Sequence, residues 1–224
     1  MIHPKSIIFD LDGTLIHSAP DLQSAANAAL GALGRQTLDL PTVISFIGNG
    51  VETLMERCLN ATGGHDASLQ HAAMDLFMEN YKRNMTTLTR PYPGVLSALQ
   101  GFRNAGISLG ICTNKPSGPA QEICNQLDLS QFFHVITGAE AGQPKKPDPA
   151  PLLKSISALG VSSADVLYVG DSAIDFLTAQ NASVSFRLFA KGYLNDPLPN
   201  LPDTDRFSHW GFHGIPIDYR QVRY

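Results

Sequence analysis

The chain has 224 residues, of which 43% are hydrophobic and 16% are charged, a composition typical of a globular protein and not of a disordered one. This length suits one large domain, or a core domain with a small insertion, because a single core rarely grows beyond roughly 250 residues. The net charge of −4 provides no broad basic surface for neutralising nucleic-acid phosphates, so no nucleic-acid partner is expected.

The cysteines and the apolar segments indicate the cellular compartment in which the protein is expected. Cys58, Cys112 and Cys124 are too few and too irregularly spaced for a disulfide framework or a zinc cluster, and we interpret them as reduced core thiols. No signal peptide precedes the first apolar run, and no stretch reaches the roughly 18 apolar residues of a membrane helix. We expect a cytoplasmic protein without a membrane partner, either a monomer or a homodimer.

The predicted elements begin with a buried strand over residues 6–9, a short apolar run rich in β-branched residues. Helical patterns follow at 21–33, 41–46, 51–61 and 68–83, with no convincing strand between them. The interval 16–90 is too long for a single crossover connection. We interpret it as an all-helical cap domain inserted after the first strand, which leaves 1–15 and 91–224 as the core domain.

From residue 93 the chain alternates between helical and strand patterns. Helices are predicted at 93–104, 117–127, 149–159 and 173–181, and strands at 107–112, 133–137, 166–169 and 184–189. This alternation predicts an α/β fold, a Rossmann-like parallel sheet of five or more strands with helices on both faces. The tail over 192–224 shows no clear periodicity, and its role stays open.

Two carboxylates follow the first predicted strand, in the sequence Asp10-Leu11-Asp12-Gly13-Thr14. The carboxyl ends of parallel strands frame the ligand crevice of such sheets, so both acids are expected at a site. Asp10 could attack phosphorus to give an aspartyl phosphate, and Asp12 could protonate the leaving oxygen and later accept a proton from water. Gly13 allows a sharp turn, and a simple strand-ending turn would by itself explain the Asp12-Gly13 pair.

Two later strand ends carry groups that could bind phosphate. Thr113 and Asn114 follow the second strand, where a hydroxyl and free backbone donors at a helix start could hold phosphate oxygens. Lys145 and Lys146 precede Pro147 after the third strand, and a fixed ammonium would offset negative charge during phosphoryl transfer. Lys146, directly before the proline, is the preferred candidate. Each group also has an ordinary explanation, as a helix cap or a solvated lysine.

The fourth predicted strand of the chain, 166–169, is followed by a second acidic pair, Asp171 and Asp175. Mg²⁺ prefers hard oxygen ligands, so Asp171, the Asp10 carboxylate and the Asp12 carbonyl would form part of a magnesium site. Asp175 lies one helical turn further on and could support that site through hydrogen bonds. A capped helix start would equally explain this segment taken alone.

The chain thus has an acid pair, a hydroxyl, a lysine and a second acid pair on successive strand ends. In this arrangement it resembles the haloacid dehalogenase superfamily of phosphatases. The resemblance implies that Asp10 is the nucleophile and Asp12 the general acid and base. It further implies that Thr113 and Lys146 bind the phosphate, and that Asp171 binds magnesium; we add Asn114 to the phosphate-binding candidates. The presence of Asp12 favours a phosphatase over a dehalogenase, because ester cleavage needs that acid.

The helical insertion resembles the small cap of the subgroup that contains phosphoglycolate phosphatases, β-phosphoglucomutases and phosphonatases. Segments 18–22 and 46–51 are most similar to phosphoglycolate phosphatases, which implies 2-phosphoglycolate or another small phosphorylated metabolite as substrate. A phosphoryl-transferring mutase or a non-catalytic phosphate-binding module are the alternatives.

Two sets of residues, most of them in the predicted cap, are candidates for recognising the substrate. The first is the glycine-rich turn Gly48-Asn49-Gly50, which could close on the far end of the substrate or could simply join two helices. The second is a set of cations available for a substrate carboxylate, although solvated helix faces would explain each of them: Arg57, Lys82, Arg83 and Arg90.

Overall fold

Strands separated by helices along the chain build the main sheet. The computed structural model describes residues 4–211, in which regular structure begins with strand β1 (Ser6–Phe9). Two short strands, β2 (Ile16–His17) and β3 (Arg90–Pro91), flank a helical segment. The later strands are β4 (Ser108–Pro116), β5 (Val135–Ala139), β6 (Val166–Gly170), β7 (Ser185–Phe189) and β8 (Arg206–Phe207).

Six of these strands form one parallel sheet in the order β5-β4-β1-β6-β7-β8. Strand β1 is central, and its last residue, Phe9, lies opposite Ile111 of β4 and Val169 of β6. The residues that follow these three positions therefore emerge together at the carboxyl edge of the sheet, where ligands bind in such folds.

The helical segment contains α1 (Ala19–Ala32), α2 (Leu40–Phe46), α3 (Val51–Ala61) and α4 (Ala67–Asn84). Asp39 and Asp66 begin α2 and α4, because their carboxylates accept the Thr42 and Leu69 backbone N–H groups. β2 and β3 pair antiparallel at the two ends of the segment. That 16–90 forms a separate cap domain stays a prediction, since one continuous hydrophobic cluster joins these helices to the sheet.

Helices cover both faces of the sheet, namely α5 (Val95–Asn104), α6 (Ser117–Gln126), α7 (Ala150–Leu159) and α8 (Ala173–Asn181). Side chains alternate along β1, so Ile7 and Phe9 belong to the cluster that contains α5 and α6. Ile8 between them belongs to a second cluster with α7 and α8. Within residues 4–211, no helix combines the length and apolar character that a membrane span requires.

The structure confirms the α/β fold with a parallel sheet and helices on both faces, and it corrects two details. Strand β4 continues to Pro116 instead of ending at residue 112, because Pro116 pairs with Ala139 of β5 beyond an irregularity. Thr113 and Asn114 therefore lie within the strand and not after it. The sixth strand, β8, was not predicted, since its two residues carry no apolar run.

The described part of the tail belongs to the core. β8 extends the sheet, and Trp210 packs against Phe9, Phe189 and Phe207 with ring centroids 5.1 to 5.9 Å apart. The tail residues after 211 lie outside the described residues, as do the first three residues of the predicted core domain.

Candidate active site

Asp10, the candidate nucleophile, directly follows the central strand. Its backbone N–H donates to the Val169 carbonyl at 2.8 Å, and its side chain is buried. The Lys146 Nζ atom lies 2.9 Å from Asp10 Oδ1. Burial raises the pKa of Asp10 to about 6, and Lys146 opposes this shift. The structure thus brings the first acid and the preferred lysine of the sequence motifs together.

Lys146 is buried, whereas the neighbouring Lys145 is exposed. The Lys146 Nζ atom lies 2.6 Å from Asp175 Oδ1 and 3.0 Å from the Tyr168 hydroxyl, in addition to its contact with Asp10. Burial acts to lower the pKa of Lys146, but Asp10 and Asp175 outweigh it and raise that pKa. The ammonium is therefore permanently charged and fixed between two carboxylates.

Asp175 is fully buried and holds this lysine in place. Together with Ser172 it forms a capping box at the start of α8, in which the Ser172 hydroxyl donates to Asp175 Oδ2 at 2.6 Å. Its Oδ1 accepts from Lys146 and from the Tyr168 hydroxyl (2.9 Å). Burial acts to raise the pKa of Asp175, but Lys146 and the hydroxyl donors lower it. Asp175 is thus an ionised group that orients Lys146 and the helix start.

Asp171 follows β6 and faces the turn after β1. The Thr14 hydroxyl donates to its Oδ1 and the Tyr193 backbone N–H to its Oδ2, both at 2.6 Å. Gly13 has a φ of +85°, and a Cβ there would collide with the Asp171 carboxylate, so only glycine fits this turn. Burial raises the pKa of Asp171 well above its ordinary value, and the negative charges of Asp175 and Asp10 add to the shift.

Three carboxylates gather at this point with one cation between them. One oxygen each from Asp10, Asp171 and Asp175 lies within 4.8 Å of the other two, and Lys146 pairs with only two of the three acids. The donors are hard oxygens, and the pKa values of Asp10 and Asp171 rise mainly because both acids are buried, with the neighbouring carboxylates adding to the shift. Such a set fits Mg²⁺, although its three acids differ from the predicted set, which includes Asp12 through its carbonyl.

Asn114 connects three parts of the site. Its Nδ2 group donates to the Lys146 and Gly48 carbonyls, each at 3.0 Å, and its Oδ1 accepts the Lys146 backbone N–H at 2.9 Å. These bonds occupy both donors of the amide, so the geometry favours a positioning role for Asn114 over the predicted contact with phosphate. Thr113 is buried and lines the same cavity as Asp10 and Asp12.

The cap turn 48–50 lies beside this edge of the sheet. Gly48 and Gly50 line the cavity that contains Asp10 and Asp12, whereas Asn49 lines a neighbouring one. Asn49 Oδ1 accepts from Arg57, which also donates to the Phe46 carbonyl, both at 3.0 Å. Arg57, a candidate for binding a substrate carboxylate, therefore holds the turn in the structure.

Comparison with known proteins decides the family. The family model of haloacid dehalogenase-like hydrolases matches residues 7–189. The chain belongs to this family. The match includes every strand end that carries a predicted site residue, and the predicted resemblance is confirmed.

Several similar proteins of this family are phosphatases by name. A phosphoglycolate phosphatase of Cereibacter sphaeroides is 43% identical over 204 residues, which cover 91% of this chain and 93% of that protein. One from Rhodospirillum rubrum is 36% identical over 88% of this chain and 84% of its own. A crystal structure of a predicted phosphoglycolate phosphatase from Haemophilus somnus superposes with a TM-score of 0.83, at 29% identity and 90% coverage of both chains. The chain is a phosphatase of the haloacid dehalogenase-like family.

The sequence motifs missed a second buried lysine at the site of this haloacid dehalogenase-like phosphatase. The Lys115 Nζ atom lies 3.0 and 3.1 Å from the two carboxylate oxygens of Asp12 and 2.7 Å from the Tyr81 hydroxyl of α4. The sequence signal was a lysine next to Asn114, inside a run of buried strand residues. Asp12, the predicted acid and base, is thus ion-paired on a different lysine from Asp10.

Tyr193 in the tail is another residue that sequence reasoning missed. Besides donating to Asp171 through its backbone, it accepts the Ala19 backbone N–H at 3.0 Å through its hydroxyl. The same hydroxyl lies 2.9 Å from His17 Nδ1 in β2. Tyr193 therefore connects the acidic cluster to the start of the helical segment.

Proposed function

We propose that this phosphatase hydrolyses 2-phosphoglycolate, or a similarly small phosphorylated metabolite, with magnesium as cofactor and through a covalent phosphate on Asp10. The observation that carries the proposal is the position of Asp10, a buried carboxylate 2.9 Å from the fixed ammonium of Lys146. It lines a cavity shared with Asp12 and Thr113. A nucleophile, an acid and base, and a phosphate-binding hydroxyl therefore share one cavity.

In the first half of the proposed reaction, an Asp10 oxygen attacks phosphorus while the bond to the leaving oxygen breaks. Asp12 gives that oxygen its proton. Lys146 offsets the negative charge on the phosphoryl group, and Thr113 orients it. In the second half, Asp12 takes a proton from water, the water oxygen attacks phosphorus, and Asp10 is released as a free carboxylate together with inorganic phosphate.

Asp10, Asp171 and the Asp12 carbonyl would hold the magnesium ion, with Asp175 behind them. When bound, the ion would neutralise the surplus charge of the acids and of the phosphoryl group. The acids that this requires are already gathered by the fold. Asp175 and Thr14 do not need to touch the substrate, because they orient Lys146 and Asp171.

Two features support a small substrate. The space inside the cavity is small, about 30 Å³ accessible to the centre of a water-sized molecule. The similar proteins of Cereibacter sphaeroides and Rhodospirillum rubrum carry the name phosphoglycolate phosphatase. We further propose a cytoplasmic enzyme, which the free, buried thiols of Cys58, Cys112 and Cys124 support. Whether it is a monomer or a homodimer stays a prediction to be measured.

Phosphate release tests this proposal. We would assay 2-phosphoglycolate beside hexose phosphates and pyrophosphate, with Mg²⁺ or with chelator, for the wild type and Asp10→Asn. We expect magnesium-dependent release with a preference for 2-phosphoglycolate, and a loss of at least about 10³-fold in the variant, since the nucleophile is removed. Release that survives Asp10→Asn would contradict the nucleophile assignment. Isomerised hexose phosphate without phosphate release would establish a mutase, and binding without turnover a phosphate-binding module.

A further inference from the structure

Lys115 is a charged group that the proposed phosphoryl transfer does not use. Its side chain is 1% exposed. The three N–H bonds of its ammonium are taken up by the two Asp12 oxygens and the Tyr81 hydroxyl. The nitrogen also lies over the Tyr81 ring, 4.8 Å from its centroid. Burial acts to lower the pKa of Lys115, but Asp12 and Tyr81 raise it, so the group stays an ammonium.

This ammonium lines the same cavity as the candidate nucleophile. The helical segment contributes apolar side chains to the opposite wall: Leu22, Ile47, Val51 and Leu54. Among the described residues that line the cavity, Lys115 is the one cation. For a second anionic group on a substrate whose phosphoryl group is at Asp10, Lys115 is therefore the positively charged partner that this lining offers.

The cap and hinge cations that the sequence offers for this purpose are engaged or exposed elsewhere. Arg57 is bonded to Asn49 and to the Phe46 carbonyl. Arg83 pairs with Glu79 on the exposed side of α4, and Arg90 donates to backbone carbonyls of residues 86, 87 and 89. Lys82 is exposed. These positions leave Lys115, a residue of the sheet, as the cation that lines the cavity beside Asp12. Lys145 is exposed, and although its Nζ atom lies near Gly50, it is not among the residues that line the cavity.

We propose that Lys115 is the specificity-determining residue, and that the carboxylate of the substrate replaces Asp12 on its ammonium. This inference rests on the proposed hydrolysis of a phosphorylated carboxylic acid. Asp12 must leave Lys115 to reach the leaving oxygen, and a buried ammonium cannot be left without an anion at little cost. A substrate carboxylate provides that anion, so it frees Asp12 for its role, while the Tyr81 hydroxyl stays on Lys115.

Because the substrate carboxylate must replace Asp12 on Lys115 before Asp12 can protonate the leaving oxygen, the carboxylate affects kcat as well as KM. An ester without a carboxylate either leaves Asp12 held on Lys115 or leaves the ammonium uncompensated. Such an ester is therefore expected to have a lower kcat and a higher KM than 2-phosphoglycolate. The preference for 2-phosphoglycolate would then depend on the charge of the substrate. A cavity that only excluded large substrates would not distinguish two esters of similar size.

The experiment compares 2-phosphoglycolate with ethyl phosphate, which has a methyl group in place of the carboxylate. We would measure kcat and KM for both esters with the wild type, Lys115→Met and the matched control Lys82→Met. We expect kcat/KM of the wild type to be about 100-fold higher for 2-phosphoglycolate. Lys115→Met should reduce this ratio to nearly one, mainly through loss on 2-phosphoglycolate. Lys82→Met, an exposed neighbour of Tyr81, should leave the ratio unchanged.

The ratio of the two kcat/KM values shows whether Lys115 recognises the substrate carboxylate or has only a structural role. Equal losses on both esters in Lys115→Met would overturn the proposal, because a role confined to folding or to holding Asp12 lowers both rates together. If the variant does not fold, as judged by circular dichroism, the wild type still decides, since equal kcat/KM for the two esters would overturn it. Release from both esters without preference would contradict only the role of Lys115. No release from either ester would contradict the proposed function and this inference together.

Discussion

The two buried lysines of the site differ in the number and origin of their partners. Lys146 pairs with two acids of the three-carboxylate cluster, Asp10 and Asp175, and all of its partners belong to the sheet strands or to the residues that directly follow them. Lys115 has one carboxylate, Asp12, and its remaining partner, Tyr81, comes from helix α4 of the inserted segment. The charge at Asp10, the proposed nucleophile, is therefore set by the sheet, whereas the charge at Asp12, the proposed acid and base, also depends on the helical segment.

The largest expected effect comes from removing Lys146. Lys146→Met should lower kcat for phosphate release by about 10³-fold, because the phosphoryl group loses a fixed positive charge. It should also lower the free energy of unfolding by about 3–5 kcal/mol, since Asp175 would stay buried without its counter-ion. Phosphate release and urea unfolding monitored by circular dichroism measure the two effects.

Lys145→Met is the control for that prediction, because Lys145 is exposed and adjacent in sequence. It should change neither quantity appreciably. Equal effects of the two variants would show that the charge at the nucleophile is not set by the buried lysine.

The second effect concerns the melting temperature, which should depend on both magnesium and pH because Asp10 belongs to the acidic cluster. The pKa of Asp10 is about 6 in the folded chain against an ordinary value of 3.8, so the folded state binds its proton more tightly. Without metal, this stabilisation is complete below about pH 3.8 and is lost as the pH rises through about 6, a contribution of about 3 kcal/mol. Magnesium favours ionised Asp10, so it should raise the melting temperature more at pH 7.5 than at pH 5.

Scanning calorimetry with Mg²⁺ or with chelator at the two pH values measures this difference. In Asp10→Asn the dependence of the magnesium effect on pH should be smaller, since the shifted carboxyl is gone. The same rise in melting temperature at both pH values would contradict an ionisable, metal-binding Asp10.

The smallest expected effect compares the tyrosine partners of the two lysines. Tyr168→Phe and Tyr81→Phe each remove one buried hydroxyl that lies within 3.0 Å of a lysine Nζ atom. Tyr168 also bonds to Asp175 and to the Cys112 carbonyl, so its loss should cost more stability, about 1–3 kcal/mol against about 1 kcal/mol for Tyr81. Urea unfolding measures both. A larger loss for Tyr81→Phe would contradict the view that the Lys146 network belongs to the more tightly bonded region.

The sequence predicted the parts of the site that follow from local rules. Acids at the carboxyl ends of β1 and β6 could be placed at one edge because parallel strands end together. The preference for Lys146 over Lys145 agrees with the buried position of Lys146. The strands and helices themselves were predictable because apolar runs and helical periodicity are features of short segments.

The parts that the sequence did not predict depend on distant contacts. Asp12 and Lys115 are 103 residues apart, and Lys115 and Tyr81 are 34 apart, so no local pattern joins them. That Asn114 binds phosphate stays a prediction, but the hydrogen-bond partners of its amide come from 32 and 66 residues away, so no local pattern indicates them. Side-chain partners of this kind require the packed structure.

The order of strands in the sheet has a consequence for synthesis of the chain on the ribosome. The central strand, β1, is made first, yet its two neighbours are β4 and β6, which begin at Ser108 and Val166. Asp171 also accepts a hydrogen bond from Tyr193, which is made after both of these strands. In the nascent chain, Asp10, the proposed nucleophile, therefore gains its neighbours from β4 and β6 only after most of the described residues have been made. We expect catalytic competence to arise only after Tyr193 has emerged from the ribosome.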